Sequence, residues 1–133
     1  MFLIVDKPDG PNKYGSGSCS PYVPRAINAG FGDDKIPTNL AGSAYGHSLL
    51  KAGFTSVPVE VLANYSPVKG DIAVMNGPKG GRTCNTGIGG PCGHIQMYNG
   101  KQWVSDFFQT RKFWPGASYE NATPQLHFQI YRW

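Results

Sequence analysis

Two residues of one predicted β-hairpin and a cysteine far upstream could together carry nucleophilic chemistry. His94 opens an alternating run that ends at Tyr98, the pair Asn99-Gly100 favours a two-residue turn, and the returning strand reaches Asp106. An antiparallel hairpin folded at this turn brings His94 and Asp106 side by side. A carboxylate beside a histidine fixes the imidazole tautomer and stabilises the imidazolium, so the pair is predicted to act as base and orienting residue.

The candidate nucleophile is Cys19, which stands where a helix is predicted to begin. Val23, Ala26 and Ile27 fall on one helical face, and Gly30 suits the helix end. Free backbone N–H groups and the positive end of a helix dipole favour a thiolate there and are well placed to hold an oxyanion. An isolated cysteine can equally be a small buried apolar residue. The predicted hairpin of His94 and Asp106 downstream favours the interpretation of Cys19 as a catalytic residue.

The other two cysteines, Cys84 and Cys92, flank a glycine-rich loop whose ends could meet in a disulfide. Two free thiols are the plain alternative, and half of a metal site is another. A metal site needs about four ligands at short paired spacings, and none of the usual spacings occurs. We expect the disulfide, which implies an oxidising compartment and leaves Cys19 as the odd, reactive thiol.

Length and composition indicate one loop-rich globular domain over residues 1–133, with 40% apolar residues, 18 glycines and 11 prolines. The net charge of +4 suits an anionic partner such as a cell-wall polymer, but the basic residues are too scattered to indicate nucleic-acid binding. No apolar run approaches the roughly 20 residues that would cross a membrane. The run from Met1 to Val5 is too short, and lacks the basic start, for a signal peptide, so we expect export without a cleaved leader.

Secondary-structure patterns predict an α+β chain. Two further histidines fall in it: His47 is an alternative base but suits a helix surface better, and His127 suits a structural place on the last strand. The aromatic loop from Phe107 to Pro124 carries Arg111 and Lys112, which could hold an acidic substrate. Besides the first helix and the hairpin, the predicted elements are a helix at Leu40–Gly53 and strands within Phe54–Asn64, Tyr65–Met75 and Leu126–Arg132.

In order and spacing, these features resemble the papain-like CHAP/NlpC superfamily of peptidoglycan amidases and endopeptidases. The order is Cys19 at a helix start, a Lys-Gly-Asp-Ile-Ala-Val strand from Lys69 to Val74, and Gly93-His94 opening the next strand. A polar residue follows on the strand after that. The small single-domain form further resembles the type VI secretion amidase effectors, toxins that cut peptide stems of the wall in a rival bacterium's periplasm. The resemblance spans nearly the whole chain.

The resemblance implies a papain-like α+β domain, with an N-terminal helix carrying the cysteine packed on an antiparallel sheet carrying the histidine. It assigns Cys19 as nucleophile, His94 as base and Asp106 as orienting residue, although members of the superfamily also use His, Asn or Gln in the third role. It implies no metal or organic cofactor, a peptidoglycan stem or cross-link as substrate, and a cognate immunity protein. The implied bond is the D-Glu–diaminopimelate or the D-Ala–diaminopimelate amide.

Other functions remain open at this stage. The same fold could serve a phage or secreted wall lysin, or a protease or deamidase that acts on a protein. A non-catalytic binding module, with Cys19 as a structural residue, is the remaining alternative. Thiol reactivity separates this module from an enzyme, because an activated thiolate is alkylated far faster than an ordinary buried cysteine.

Overall fold

The computed structural model describes residues 19–80, 92–105, 109 and 112–133, without the side chains of residues 19–21. Within these ranges the chain forms one antiparallel sheet of five strands, in the order β1-β5-β2-β3-β4. The strands are β1 (Thr55–Val57), β2 (Ile72–Met75), β3 (His94–Tyr98), β4 (Trp103–Val104) and β5 (Phe128–Arg132). The helices are α1 (Cys19–Phe31), α2 (Gly46–Ala52) and α3 (Ala117–Glu120), and 3-10 turns occur at Gly42–Ala44 and Leu62–Asn64.

Helix α1 begins at Cys19, as the sequence predicts, and packs against β3. Its apolar face buries Val23 and Ile27 completely, which confirms the predicted helical face. The helix continues through Gly30 to Phe31, so the predicted end was one residue early. Gly32 is the residue that leaves the helix with a left-handed φ of 71°.

The sheet is covered on both faces, because two separate apolar clusters pack against it. On one face, α1 and α2 bury their side chains against Ile95 and Met97 of β3. On the other face, an aromatic cluster contains Trp103, Phe113 and Trp114. Successive residues of a strand point to opposite faces, so His94 and Gln96 lie on the aromatic side.

The hairpin of β3 and β4 differs from its prediction in two details. Tyr98 pairs with Trp103, so the connection has four residues rather than the predicted two. Asn99 closes it, since its Oδ1 accepts hydrogen bonds from the backbone N–H groups of Lys101 and Gln102, each at 2.9 Å. Paired residues of antiparallel strands point to the same face. Trp103 therefore lies with Tyr98 on the aromatic side, and β4 ends at Val104, short of the predicted strand end at Asp106.

Two other predicted elements are shorter than expected. The predicted helix at Leu40–Gly53 divides into a 3-10 turn and α2, which Gly53 ends with a φ of 110°. The predicted strand at Phe54–Asn64 survives only as β1, and Val61 is 54% exposed. The fully buried β2 and the terminal β5 match their predictions. In the described ranges, no helix is long and apolar enough to cross a bilayer.

Candidate functional site

The Gly-His pair at the start of β3 is held by close backbone contacts. Gly93 has a φ of 71°, and a Cβ atom there would lie 2.5 Å from the carbonyl oxygen of Met75 and from Cβ of Ser43. Gly42 is equally close on another side, since its Cβ would lie 2.7 Å from Cα of His94. Glycine at both positions lets the 3-10 turn and β2 close on this strand end. The backbone of His94 is thereby fixed.

The imidazole of His94 is buried, with 4% of the residue exposed. Its Nε2 lies 3.0 Å from Oε1 of Gln109, which is also buried. An amide oxygen only accepts hydrogen bonds, so Nε2 carries a proton and donates it to Gln109. In the neutral ring, Nδ1 is then the nitrogen that can accept a proton. The contact thus prepares His94 to act as a base through Nδ1.

The orientation of the Gln109 amide follows from its own partners. Its Nε2 donates to the backbone carbonyl of Phe113 at 3.4 Å, and a carbonyl can only accept. The amide oxygen must therefore face His94. The backbone of Gln109 is held on both sides, because its N–H donates to Trp103 O at 3.0 Å and its carbonyl accepts from Gln102 Nε2 at 3.1 Å. Gln109 is a fixed acceptor for the histidine.

An aromatic ring also contacts the histidine. The ring of Tyr119, on α3, meets that of His94 edge-on, with centroids 6.0 Å apart and an interplanar angle of 63°. This ring adds an apolar contact to one side of the imidazole. The predicted aromatic loop from Phe107 to Pro124 therefore supplies two neighbours of the histidine in Gln109 and Tyr119.

Some of the predicted site residues lie within the described part of the structure, and others lie outside it. His94 lies at the start of β3 as predicted, and Cys19 is the first residue of α1, but the side chain of Cys19 lies outside the described residues. Asp106 and Cys84 also lie outside them, so the orienting role of Asp106 stays a prediction. Cys92 is disulfide-bonded, and its pairing with Cys84 stays a prediction too.

Gln109 is the functional candidate that sequence reasoning missed. The strand pattern predicted a return strand ending at Asp106, so residues beyond it were assigned to a loop. The available signal was chemical rather than periodic, since the superfamily that the sequence resembles accepts glutamine in the third role. His47 is exposed on α2, in agreement with its predicted place on a helix surface. His127 is also exposed, and it lies one residue before β5 rather than on it as predicted.

Asp71 of the Lys-Gly-Asp-Ile-Ala-Val motif has a structural role at the end of β2 that lies opposite to His94. Asp71 is fully buried and forms a two-pronged ion pair with Arg132, at 2.7 and 2.8 Å. It also accepts hydrogen bonds from Tyr65 Oη at 2.7 Å and from the N–H of Val68 at 3.0 Å. Met75, at the other end of β2, pairs with His94. The Asp71 network therefore anchors the strand that supports the histidine.

This network shifts the pKa values of its members. Burial alone would raise the pKa of Asp71, but hydrogen bonds from Arg132, Val68 and Tyr65 outweigh it, and the pKa lies below its ordinary value of 3.8. Burial first, and then the hydrogen bond to Asp71, raise the pKa of Tyr65 well above its ordinary 10.0. Asp71 is therefore an anion, and Tyr65 a hydrogen-bond donor, at neutral pH.

Comparison with known proteins places this α+β fold among the proteins of type VI secretion effector–immunity systems. No protein-family model and no curated protein matches the chain. Among solved structures, the native Tae3–Tai3 complex from Ralstonia pickettii contains a chain that is 34% identical, with a TM-score of 0.70. The match covers 96% of this chain and 87% of that one. The selenomethionine form of that complex gives 36% identity and a TM-score of 0.70, over 92% of this chain and 90% of that one. The protein belongs to the Tae3–Tai3 effector–immunity family.

Proposed function

We propose that this protein is the effector of its Tae3–Tai3-type system, a cysteine amidase that hydrolyses amide bonds in peptidoglycan stems or cross-links. The observation that carries the proposal is the buried His94–Gln109 pair at the start of β3. A partner that only binds and inhibits does not need a buried histidine whose tautomer is fixed. A hydrolase does, because its base must present one chosen nitrogen to the nucleophile.

In the proposed mechanism the thiol of Cys19 gives its proton to Nδ1 of His94, and the thiolate attacks an amide carbonyl of the wall peptide. Backbone N–H groups at the start of α1 stabilise the tetrahedral oxyanion. His94 then protonates the leaving amine, and it activates the water that releases the acyl enzyme. Cys19 is the first residue of α1, and α1 packs on β3, the strand that His94 opens, so the two residues belong to elements that are in contact.

The two ring nitrogens of His94 have separate tasks in this scheme. Nδ1 exchanges the proton with the thiol, and Nε2 must be held by an acceptor. Gln109 already holds Nε2 at 3.0 Å, so we assign the orienting role to Gln109. The sequence assigned that role to Asp106. Substitution of each residue distinguishes the two assignments.

The proposed place of action is the periplasm or wall of a target bacterium. The disulfide at Cys92 supports an oxidising compartment of this kind. A cognate immunity protein in the producing cell is part of the proposal, because the related complex pairs an effector with an immunity protein. The net charge of +4 suits a substrate rich in carboxylates.

The test is to incubate purified bacterial sacculi with the wild type, Cys19→Ala and His94→Ala, and to identify released muropeptides by mass. His127→Ala is the matched control, because His127 is an exposed histidine of the same chain. We expect the wild type and the control to release the same fragments, whose masses name the bond, and the two site variants to release none. Release by Cys19→Ala at the wild-type rate would contradict the mechanism.

Iodoacetamide labelling of the oxidised protein tests the state of Cys19 directly. We expect rapid labelling of Cys19 near neutral pH, because the thiol must be free and activated to act as nucleophile. Absence of both labelling and fragment release would instead favour a binding module. Fragments released from a protein substrate but not from sacculi would favour a protease.

A further inference from the structure

A groove of about 1170 Å³ lies on the aromatic side of the sheet, next to the candidate site. Gln109, which holds His94 at 3.0 Å, is one of its lining residues, so the groove lies one side chain away from the histidine. Ligand pockets usually measure about 300–1,000 Å³. The groove is therefore large enough for several residues of a peptide.

Aromatic side chains form part of the groove wall. Tyr98 and Tyr65 flank the buried Trp103, with ring centroids 5.3 and 6.4 Å from it, and all three line the groove. Tyr65 is fixed by its hydrogen bond to Asp71. A wall of packed rings gives apolar contact area to a ligand without ordering mobile side chains on binding.

Among the described residues that line the groove, the charged ones are two lysines and one glutamate. Lys101 lies in the turn between β3 and β4, Lys112 precedes the buried Phe113, and both are exposed. Neither ammonium forms an ion pair within the described part of the chain. Glu120, at the end of α3, adds one carboxylate to the same groove. Two cationic groups and one anionic group thus surround an aromatic wall beside the candidate catalytic histidine.

Resting on the proposed function, we propose that this groove binds the part of the peptide stem that carries free carboxylates, with Lys101 and Lys112 as the residues that recognise them. A diaminopimelate-containing stem carries several carboxylates and one free amine. The two lysines match the carboxylates. The assignment makes Lys101 and Lys112 specificity residues that take no part in bond cleavage.

The binding test uses Cys19→Ala protein, which holds substrate without cleaving it, and isothermal titration calorimetry. The ligands are a tetrapeptide stem containing diaminopimelate and the same peptide with its carboxylates amidated. We expect the double variant Lys101→Gln/Lys112→Gln to bind the free-acid stem about 10-fold more weakly. The amidated stem should bind weakly to both proteins. Lys51→Gln is the control, because Lys51 is an exposed lysine on α2, outside the groove.

Equal binding of the free-acid stem by the double variant and the parent would overturn the groove proposal. Tighter binding of the amidated stem would do so as well. Cleavage assays on sacculi with Cys19 intact separate this result from the proposed function. If sacculi are cut and the double variant keeps the wild-type KM, the groove assignment fails and the amidase stands. If the groove binds the stem and sacculi are never cut, the amidase fails and the binding site stands.

Discussion

His94 is held at both its backbone and its ring by parts of the chain that lie far apart in sequence. Gly42 closes on its backbone from one side, while Gln109 and Tyr119 contact the ring from the other. The hydrogen bond to Gln109 selects the tautomer, and the ring contact restricts rotation. A base constrained in this way loses little conformational freedom when a substrate binds.

We expect Gln109→Ala to lower kcat/KM on the order of 100-fold, because the ring loses the acceptor that selects its tautomer. Gln109→Glu should retain more activity than Gln109→Ala, since it keeps an oxygen acceptor for Nε2. Asp106→Ala is the comparison that decides between the two candidate orienting residues. The measurement is the rate of muropeptide release, with circular dichroism to check folding.

The same two variants can also contradict the assignment of the orienting role to Gln109. A large loss in Asp106→Ala together with near-wild-type activity in Gln109→Ala would return the orienting role to Asp106, as the sequence predicts. Retention of KM with a fall in kcat in Gln109→Ala would show that the residue acts on the chemical step through His94. A rise in KM alone would instead indicate that it only shapes the groove.

At the level of elements, the histidine depends on how tightly the 3-10 turn at Gly42–Ala44 approaches β3. The N–H of Ser43 donates to the carbonyl of Cys92 at 3.0 Å, so this turn is hydrogen-bonded to the residue before the Gly-His pair. The missing side chain at Gly42 makes the approach possible, because a Cβ would meet backbone atoms that cannot move independently. The 3-10 turn therefore fixes the position of the strand end that carries His94.

Gly42→Ala should therefore displace His94 and cost about 1–3 kcal/mol of unfolding free energy, the usual range for overpacking. We expect a fall in activity larger than the loss of folded protein explains. Gly116→Ala is the control, since a Cβ there meets nothing within 4 Å and the backbone is extended. Urea unfolding and muropeptide release measure the two effects. Wild-type activity in a stably folded Gly42→Ala would contradict the argument.

The sequence predicted those elements whose pattern is local. The helical spacing of α1, the continuous apolar run of β2 and the alternation of apolar and polar residues near β5 were sufficient to locate these elements. The hairpin was right in β3 and wrong in its turn and in the length of its return strand, which ends at Val104. Asn99 closes a four-residue connection with its own side chain, although Asn99-Gly100 favours a shorter one. Side-chain hydrogen bonds of this kind are not visible as periodicity.

The site was predictable only in part, for the same reason. A Gly-His pair before a strand has a recognisable sequence, and the glycine is explained by its positive φ and close backbone contacts. Gln109 lies in a segment without regular structure, and its role depends on contacts with Trp103 and Phe113 that join distant parts of the chain. Such a residue is found from the fold, because no local pattern marks it.

At the scale of the whole molecule, the buried carboxylate of Asp71 connects three segments of the chain at the end of β2 opposite to His94. Asp71 joins the start of β2 to Arg132 near the end of β5 and to the segment of Tyr65 and Val68. The segment of Tyr65 also lines the groove. Loss of this connection should therefore weaken the sheet and the groove together.

Asp71→Asn should lower the free energy of unfolding by about 3 kcal/mol at pH 7, at the low end for a broken buried pair because the Arg132 side chain is 40% exposed. The pKa of Asp71 is lowered in the folded protein, so its contribution is complete above the ordinary value of 3.8 and is lost as the pH falls through the folded-state pKa. Wild type should thus lose stability below pH 3.8 relative to Asp71→Asn, and the two curves should converge there.

Asp33→Asn, at a carboxylate that is 67% exposed, is the control and should follow wild type throughout. Urea unfolding at a series of pH values measures the difference. A gap between wild type and Asp71→Asn that stays constant into strong acid would show that the ion pair with Arg132 is not what Asp71 contributes.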